Sequence, residues 1–500
     1  MPLALTAVLL KVKRRFLVSP YAIILRMDCY QALSCVTQHR RYPAKCWVKS
    51  VVLSFASLCF FMSPACAVGP GLYPEQEQAL RALARGERVS WPGLQPEQNQ
   101  ALSDAAESFL IHLQQYHLPQ GLVADILWSD FSRSKVEKYE GIGDSTTWTG
   151  VYLAVLGLRW HVQRDPQTLQ EIYSVLDRFD MLTRVSGRIG YLARYAGNAE
   201  DPAYQKYYRY YGGKESKDRP GFGVRAYQGQ GIFSQMVWLG HSSRDTYDGA
   251  CFGFSVLWKY VEENQVQQKI RELVERIGDR LVKDNWKILD GKGSHTWHSY
   301  RWRIAWTRLL LSVNPEKYAF LSASYHRMAR RYPTSGPKIP SKYDKSYYPA
   351  NLNFMRLFVL NLLEDDPERS ARFRTAMRHL YRKKAQDHLN PYFAALYMAA
   401  TGDILDENAR ATLEGMLCDY PELPKWSREV ELQGFPENPM KNKHSVRYAL
   451  LTRERILRDF LWQRPPCQVI GGNNKPIEYP TLDFLLPYWL GRASGVLKAP

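Results

Sequence analysis

At 500 residues and 45% hydrophobic content, the chain is long and apolar enough to bury a large core, which excludes a disordered chain and a small disulfide-held scaffold. Its net charge of +18 leans toward anionic partners, but no single predicted helix concentrates the basic residues, which argues against nucleic acid. Five of the eight cysteines (Cys29, Cys35, Cys46, Cys59, Cys66) fall at the start. The other three, Cys251, Cys418 and Cys467, allow at most one bridge, and Cys251 inside an apolar segment reads as a buried free thiol.

The first 67 residues have the three-part form of a secretory leader. Arg40, Arg41, Lys45 and Lys49 precede the apolar run Val51 to Met62, and Ala65-Cys66-Ala67 offers a small-x-small cleavage site. The apolar run is too short for an ordinary membrane span, so no transmembrane helix is expected in the mature chain. The stretch before Lys49 is long for such a leader, and residues up to about Trp47 are read as upstream of the true start. A lipid anchor on Cys66 is the second reading. Export to a bacterial periplasm or medium follows from the first. Residues 68–500 are expected to form one helical domain, with 68–110 a Gln- and Glu-rich helical segment at its edge.

From Gly143 the chain reads as a series of helix pairs, and strand-like alternation is scarce. Asp165-Pro166, Asn314-Pro315, Asp366-Pro367 and Asn390-Pro391 each set a capping side chain before a proline suited to the first helical position. Periodic apolar segments follow them at Leu169 to Thr183, Tyr318 to Arg330, Arg369 to Tyr381 and Tyr392 to Ala400. Thr401-Gly402-Asp403 stops one helix with a glycine suited to a left-handed C-cap. Counting such segments predicts an all-α domain, an (α/α)6 toroid built from helical hairpins; an open solenoid would need a fixed short repeat, and none is present.

Two stretches about a hundred residues apart share one local design. Gly143-Asp144-Ser145-Thr146-Thr147-Trp148-Thr149-Gly150 and Ser243-Arg244-Asp245-Thr246-Tyr247-Asp248-Gly249 each lead a carboxylate, a threonine, an aromatic, one polar residue and a glycine into an apolar helix. If the two loops share one mouth, Asp144 with Asp245 or Asp248 supplies the pair of carboxyl groups that glycoside hydrolysis needs. The bland reading is that Asp144 and Asp245 are helix caps and that Asp248 complements the helix dipole.

Other candidates surround this core. A lyase would need a Tyr or His base, for which Tyr247, His295 and His298 stand, and a cation to neutralise a uronate carboxylate, for which Arg184, Arg188, Arg194 and Arg244 stand; salt bridging is the competing role for most of these arginines. Gly197 to Gln230 holds Tyr204, Tyr207, Tyr208, Tyr210 and Tyr211 among basic residues and reads as a functional loop with Tyr208 in contact with ligand. Trp148, Trp286, Trp297, Trp302 and Trp306 are either sugar-stacking platforms or core. His295-Thr296-Trp297-His298 reads as a loop, and with no third ligand evident no metal site is assigned. No phosphate loop, serine-hydrolase elbow or dinucleotide fingerprint occurs, and no cofactor is expected.

The segments from Asp144 to Gly150, Ser243 to Gly249, Asn390-Pro391-Tyr392-Phe393, Asp459 to Arg464 and Asp483 to Arg492 together resemble six-hairpin toroid glycosidases and polysaccharide lyases, and more closely an uncharacterised group of exported bacterial proteins. The resemblance covers about Gly143 to the C-terminus and brings no assigned catalytic residues. It implies an exported carbohydrate-active protein that cleaves a glycosidic bond by hydrolysis or β-elimination. The reaction centre is then Asp144, Asp245, Tyr247 and Asp248, with Trp148, Arg184, Arg194, Tyr208, Arg244, His295 and Trp297 binding substrate. The expected partner is a polysaccharide or oligosaccharide, anionic if the arginines take part, on a monomeric protein. The alternative is a non-catalytic glycan-binding or envelope scaffold. At the end of the chain, Tyr479 to Leu490 is expected to pack against an early helix.

Overall fold

The computed structural model describes residues 70–198, 200, 226–289, 295–297, 300–344, 346–420, 445–455, 464–468 and 476–500. The chain divides into two units, Met1–Ala65 and Cys66–Pro500, and all described residues belong to the second. The leader reading therefore lies outside the described residues, as do the tyrosine loop and the segment from Asp459 to Trp462.

The second unit is mostly helical. After α1 (Pro74–Ala84) and α2 (Pro96–Tyr116) come α3 (Ser145–Gln163), α4 (Pro166–Leu182), α5 (Arg244–Tyr260), α6 (Asn264–Lys283), α7 (Tyr300–Val313) and α8 (Ser322–Arg330). These are followed by α9 (Tyr348–Leu363), α10 (Pro367–Lys384), α11 (Pro391–Thr401), α12 (Glu407–Arg410), α13 (Met416–Cys418) and α14 (Leu482–Ala493). Two kinds of helix alternate. Along α3, α5, α9, α11 and α14 most side chains are buried, whereas α4, α6 and α10 bury one stripe, such as Val266, Ile270, Leu273, Val274, Ile277 and Leu281 on α6. A helix apolar all round must be enclosed by others, and a helix with one apolar stripe lies outside them. The enclosed helices are neighbours in succession: α3 packs on α5, α5 on α9, α9 on α11, α11 on α14, and α14 back on α3.

The caps follow the sequence reading at three of four places. Asp165 accepts from the N–H groups of Gln167 and Thr168, Asp366 from Arg369 and Asn390 from Tyr392, each ahead of a proline at the first helical position. Gly402 ends α11 at φ +74°. Asn314-Pro315 starts no helix: residues 315–318 form turns, held on α6 by Lys317 against Glu275 and Asp279 at 2.8 Å each, and α8 begins only at Ser322. The free thiols of Cys251, Cys418 and Cys467 are all buried.

Among the described residues eight short strands accompany the helices, a small share of the chain in keeping with the scarcity of strand-like alternation in the sequence. Strand β1 (Asp125–Trp128) lies between β2 (Val136–Glu140) and β8 (Ile477–Glu478), with Ile126 opposite Tyr139 on one side and Glu478 on the other. Strand β5 (Met236–Leu239) lies between β3 (Tyr195–Asn198) and β4 (Ala226–Gln228), and β6 (Lys287–Leu289) pairs with β7 (His295–Trp297). With two to five residues apiece, they are too short to show an alternating pattern. The C-terminal helix closes on the first long one: Phe484 meets Phe109 edge to face at 4.8 Å, and the Thr481 hydroxyl donates to the Phe109 carbonyl at 3.4 Å. Among the described residues no helix is long and apolar enough to cross a membrane.

Candidate active site

The twin motifs meet because their glycines let two helices touch backbone to backbone. A Cβ on Gly150 would stand 2.2 Å from the Gly249 carbonyl oxygen, and a Cβ on Gly249 would stand 2.3 Å from the Thr147 carbonyl oxygen. Any side chain at either position would push α3 and α5 apart. This approach brings the first turns of both helices to one cleft of about 250 Å³, lined by Asp144, Thr147, Trp148, Asp245, Tyr348, Asn351, Leu352 and Met355. Helix α9 supplies the last four.

Neither aspartate at this cleft is a cap. Asp144 occupies the N-cap position of α3, but its carboxylate makes no capping hydrogen bond. Its Oδ1 pairs with Nη1 of Arg194 at 3.3 Å, and the carboxylate side remains about half exposed (49%). Arg194 is fixed in turn by Nη1 donating to the Gly143 carbonyl at 2.6 Å and Nε donating to the His241 carbonyl at 2.9 Å. Its own backbone is clamped between the N–H of Thr146 and the carbonyl of Leu239, so the start of α3 and the end of β5 set the cation in place. His241 holds φ +54°, a strained setting for a non-glycine residue of the kind that gathers at functional sites. In α5 the cap is Ser243, whose Oγ accepts from the Thr246 N–H at 3.4 Å.

That leaves the Asp245 carboxyl free of capping duty, and among the described residues nothing hydrogen-bonds to it. Burial pushes its pKa above the usual carboxylate range, the negative charge of Asp144 pushes it further, and Arg356, Arg194 and Arg244 pull against both. The cleft thus holds two unlike carboxyl groups, one paired with an arginine and one driven toward its protonated form. Deeper in the cleft wall, both side-chain polar atoms of Asn351 (3% exposed) and the Thr147 hydroxyl are buried with no hydrogen-bond partner among the described residues. Buried amides and hydroxyls are normally satisfied, so these are groups that a polar ligand entering the cleft would complete.

The remaining sequence candidates part company with this pair. Asp248 (3% exposed) does not line the cleft; Nε of Arg356 reaches both of its oxygens at 3.0 Å and Nη2 reaches Oδ2 at 2.5 Å. Burial lifts Asp248 to about 6, but Arg356 opposes the rise and its own pKa is raised by the same contact, so the two remain an ion pair at neutral pH. Tyr247 (1% exposed) is a core residue: its hydroxyl accepts from the Leu192 N–H at 3.1 Å, its ring packs on Trp302 and Trp306, and burial drives its pKa upward. A phenol so placed meets neither substrate nor solvent, which corrects its assignment as a base. Arg184 pairs with Asp180 at 2.9 Å, Arg188 with Asp284 at 2.7 Å, and Arg244 is exposed at the first residue of α5; none lines the cleft. Trp286, Trp302 and Trp306 are core. His295 and Trp297 lie in β7, so that segment is a strand rather than the loop expected; their side chains, with Tyr208 and His298, fall outside the described residues.

Sequence reasoning missed the α9 wall and Arg356. Helix α9 carries Asn351, Asn353, Arg356 and Asn361 among apolar residues, and the sequence does not single out which of them face the cleft or Asp248. It also missed a second polar cluster, in which His112 and His117 of the α2 terminus meet Glu478 of β8. Burial alone would raise the Glu478 carboxyl, but the two imidazoles outweigh it and hold that group well below the usual range. No family model matches this chain, and no curated protein is significantly similar to it in sequence.

Proposed function

We propose that the chain is a carbohydrate-active enzyme that hydrolyses a glycosidic bond at the Asp144–Asp245 cleft. One observation carries the reading: two aspartates from twin motifs reach one cleft, neither makes a capping hydrogen bond with its carboxylate, and burial together with the nearby Asp144 charge drives Asp245 toward its protonated form. That is the division of labour that glycoside hydrolysis asks of a carboxyl pair. Asp245, favoured in its neutral form, donates a proton to the leaving glycosidic oxygen. Asp144, oriented by its contact with Arg194, activates a water or attacks the sugar carbon. Trp148 offers a face for a sugar ring to stack on, and Asn351 with Thr147 offers hydrogen bonds to its hydroxyls.

The closed succession α3–α5–α9–α11–α14 with stripe-faced helices outside it supports the toroid reading of the fold. The export reading rests on the leader sequence alone. Cleavage by β-elimination is the weaker reading, because its expected base, Tyr247, is buried and its hydroxyl engaged. The test is incubation of the purified chain with a panel of neutral and uronate-bearing polysaccharides, following reducing ends and unsaturated products together. New reducing ends without unsaturation are expected. Unsaturated products would replace hydrolysis with elimination, and binding without any product would leave the glycan-binding scaffold in its place.

A further inference from the structure

The cluster of His112, His117 and Glu478 has no task in the chemistry proposed for the cleft. His112 lies in α2, His117 is the residue that ends it, and Glu478 closes β8, so the fold joins groups 366 positions apart. One nitrogen of each imidazole and one oxygen of the carboxylate all lie within 4.8 Å of one another.

The tautomer of His117 is the informative detail. Its Nδ1 is 2.9 Å from the carbonyl oxygen of Ala124, which can only accept, so Nδ1 carries a proton. In the neutral ring Nε2 then bears a lone pair. That atom is fully buried, has no hydrogen-bond partner among the described residues, and stands 3.5 Å from Oε1 of Glu478, a second acceptor. Nε2 of His112 is directed at the same oxygen. A metal ion that displaced the proton shared by His112 and Glu478 would find three electron-pair donors facing one point.

We propose that His112, His117 and Glu478 hold a divalent transition-metal ion. Zinc suits two imidazoles and a carboxylate best, being borderline in softness and indifferent to strict geometry. The supporting contacts are those that metal ligands use: the Ala124 carbonyl fixes the His117 ring, and Nε1 of Trp128 donates to the other Glu478 oxygen at 2.7 Å. His112, with 12% of its side chain exposed, is the side from which an ion enters. An ion bound here clips α2 to β8, and through β8 to the segment leading into α14. The sequence reading assigned no metal; the five-residue histidine spacing and the distant glutamate gave no local sign of this cluster.

The test uses the purified full-length chain, stripped with a chelator and then titrated with zinc alone, with bound metal measured after gel filtration. About one equivalent per chain is expected, together with a melting temperature that rises with zinc. Cobalt(II) in its place should give a visible absorption band from imidazole ligation. His117→Gln should weaken zinc binding tenfold or more. Because that ring is buried, the part-exposed His112→Gln serves as the second variant, checked for native circular dichroism, and should also weaken binding and shift the cobalt band. A folded wild-type chain that retains no zinc at micromolar concentration would overturn the proposal, and so would zinc binding that a folded His112→Gln leaves unchanged.

Discussion

Asp245 and Asp248 stand one helical turn apart on α5 and do opposite things. Asp248 turns inward to Arg356, and its charge is matched where water cannot reach it. Asp248→Asn is expected to destabilise the protein by about 3–5 kcal/mol in denaturant unfolding, because it leaves the largely buried Arg356 guanidinium without its carboxylate. A loss below about 1 kcal/mol would mean that Arg356 finds another partner. Asp245 turns to the cleft and carries a cost instead. Its folded pKa lies above its unfolded value, so below about pH 4 both states are protonated and the residue adds nothing. As pH rises past the unfolded value, ionisation favours the unfolded state and stability is lost. The melting temperature of Asp245→Asn relative to wild type should therefore climb between about pH 4 and pH 7; a difference that does not change with pH would contradict the raised pKa. The candidacy of Asp144 and Asp245 was legible in the repeated Thr-aromatic-polar-Gly run that follows each of them. Arg356 and Asn351 were not, because nothing local in an apolar helix tells which polar residue will face a partner a hundred positions away.

Among the elements, the contact of α3 with α5 matters most, since the separation of these helices sets the separation of the two carboxyls. Gly249→Ala should cost about 1–3 kcal/mol through overpacking against the Thr147 carbonyl, measured as a shift in denaturant midpoint. A neutral result would show that the backbones are not in contact. The long helices and the caps at Asp165, Asp366 and Asn390 were readable because 3.6-residue periodicity and capping chemistry are local. At Asp144 and Asp245 the motif looks like a cap, yet neither carboxylate makes a capping hydrogen bond. Capping chemistry misled at Asn314, where tertiary ion pairs to α6 hold the following residues as turns. The short strands escaped notice because their pairing, such as Ile126 with Glu478, depends on partners far along the chain.

At the scale of the whole second unit, sequence and structure agree on a mostly helical body whose C-terminal helix returns to an early one, with the Phe109–Phe484 contact as the joint. The alternation of enclosed and stripe-faced helices was implicit in the hydrophobic pattern. The meeting of the motif loops at one mouth was not, since it depends on how the helices succeed one another in space. Everything proposed about function turns on whether the cleft holds two carboxyls in different protonation states. The direct test is a pH titration of the chain labelled at aspartate side-chain carboxyl carbons, observed by NMR in wild type, Asp245→Asn and Asp144→Asn. Among the resonances that titrate above the usual carboxylate range, one should disappear in Asp245→Asn and move down when Asp144 is neutralised. If no aspartate titrates above the usual range besides Asp248 and Asp419, the latter a buried carboxyl paired with Arg453 and likewise raised by burial, or if the Asp245 resonance ignores Asp144→Asn, the two groups do not form a pair and the catalytic reading fails.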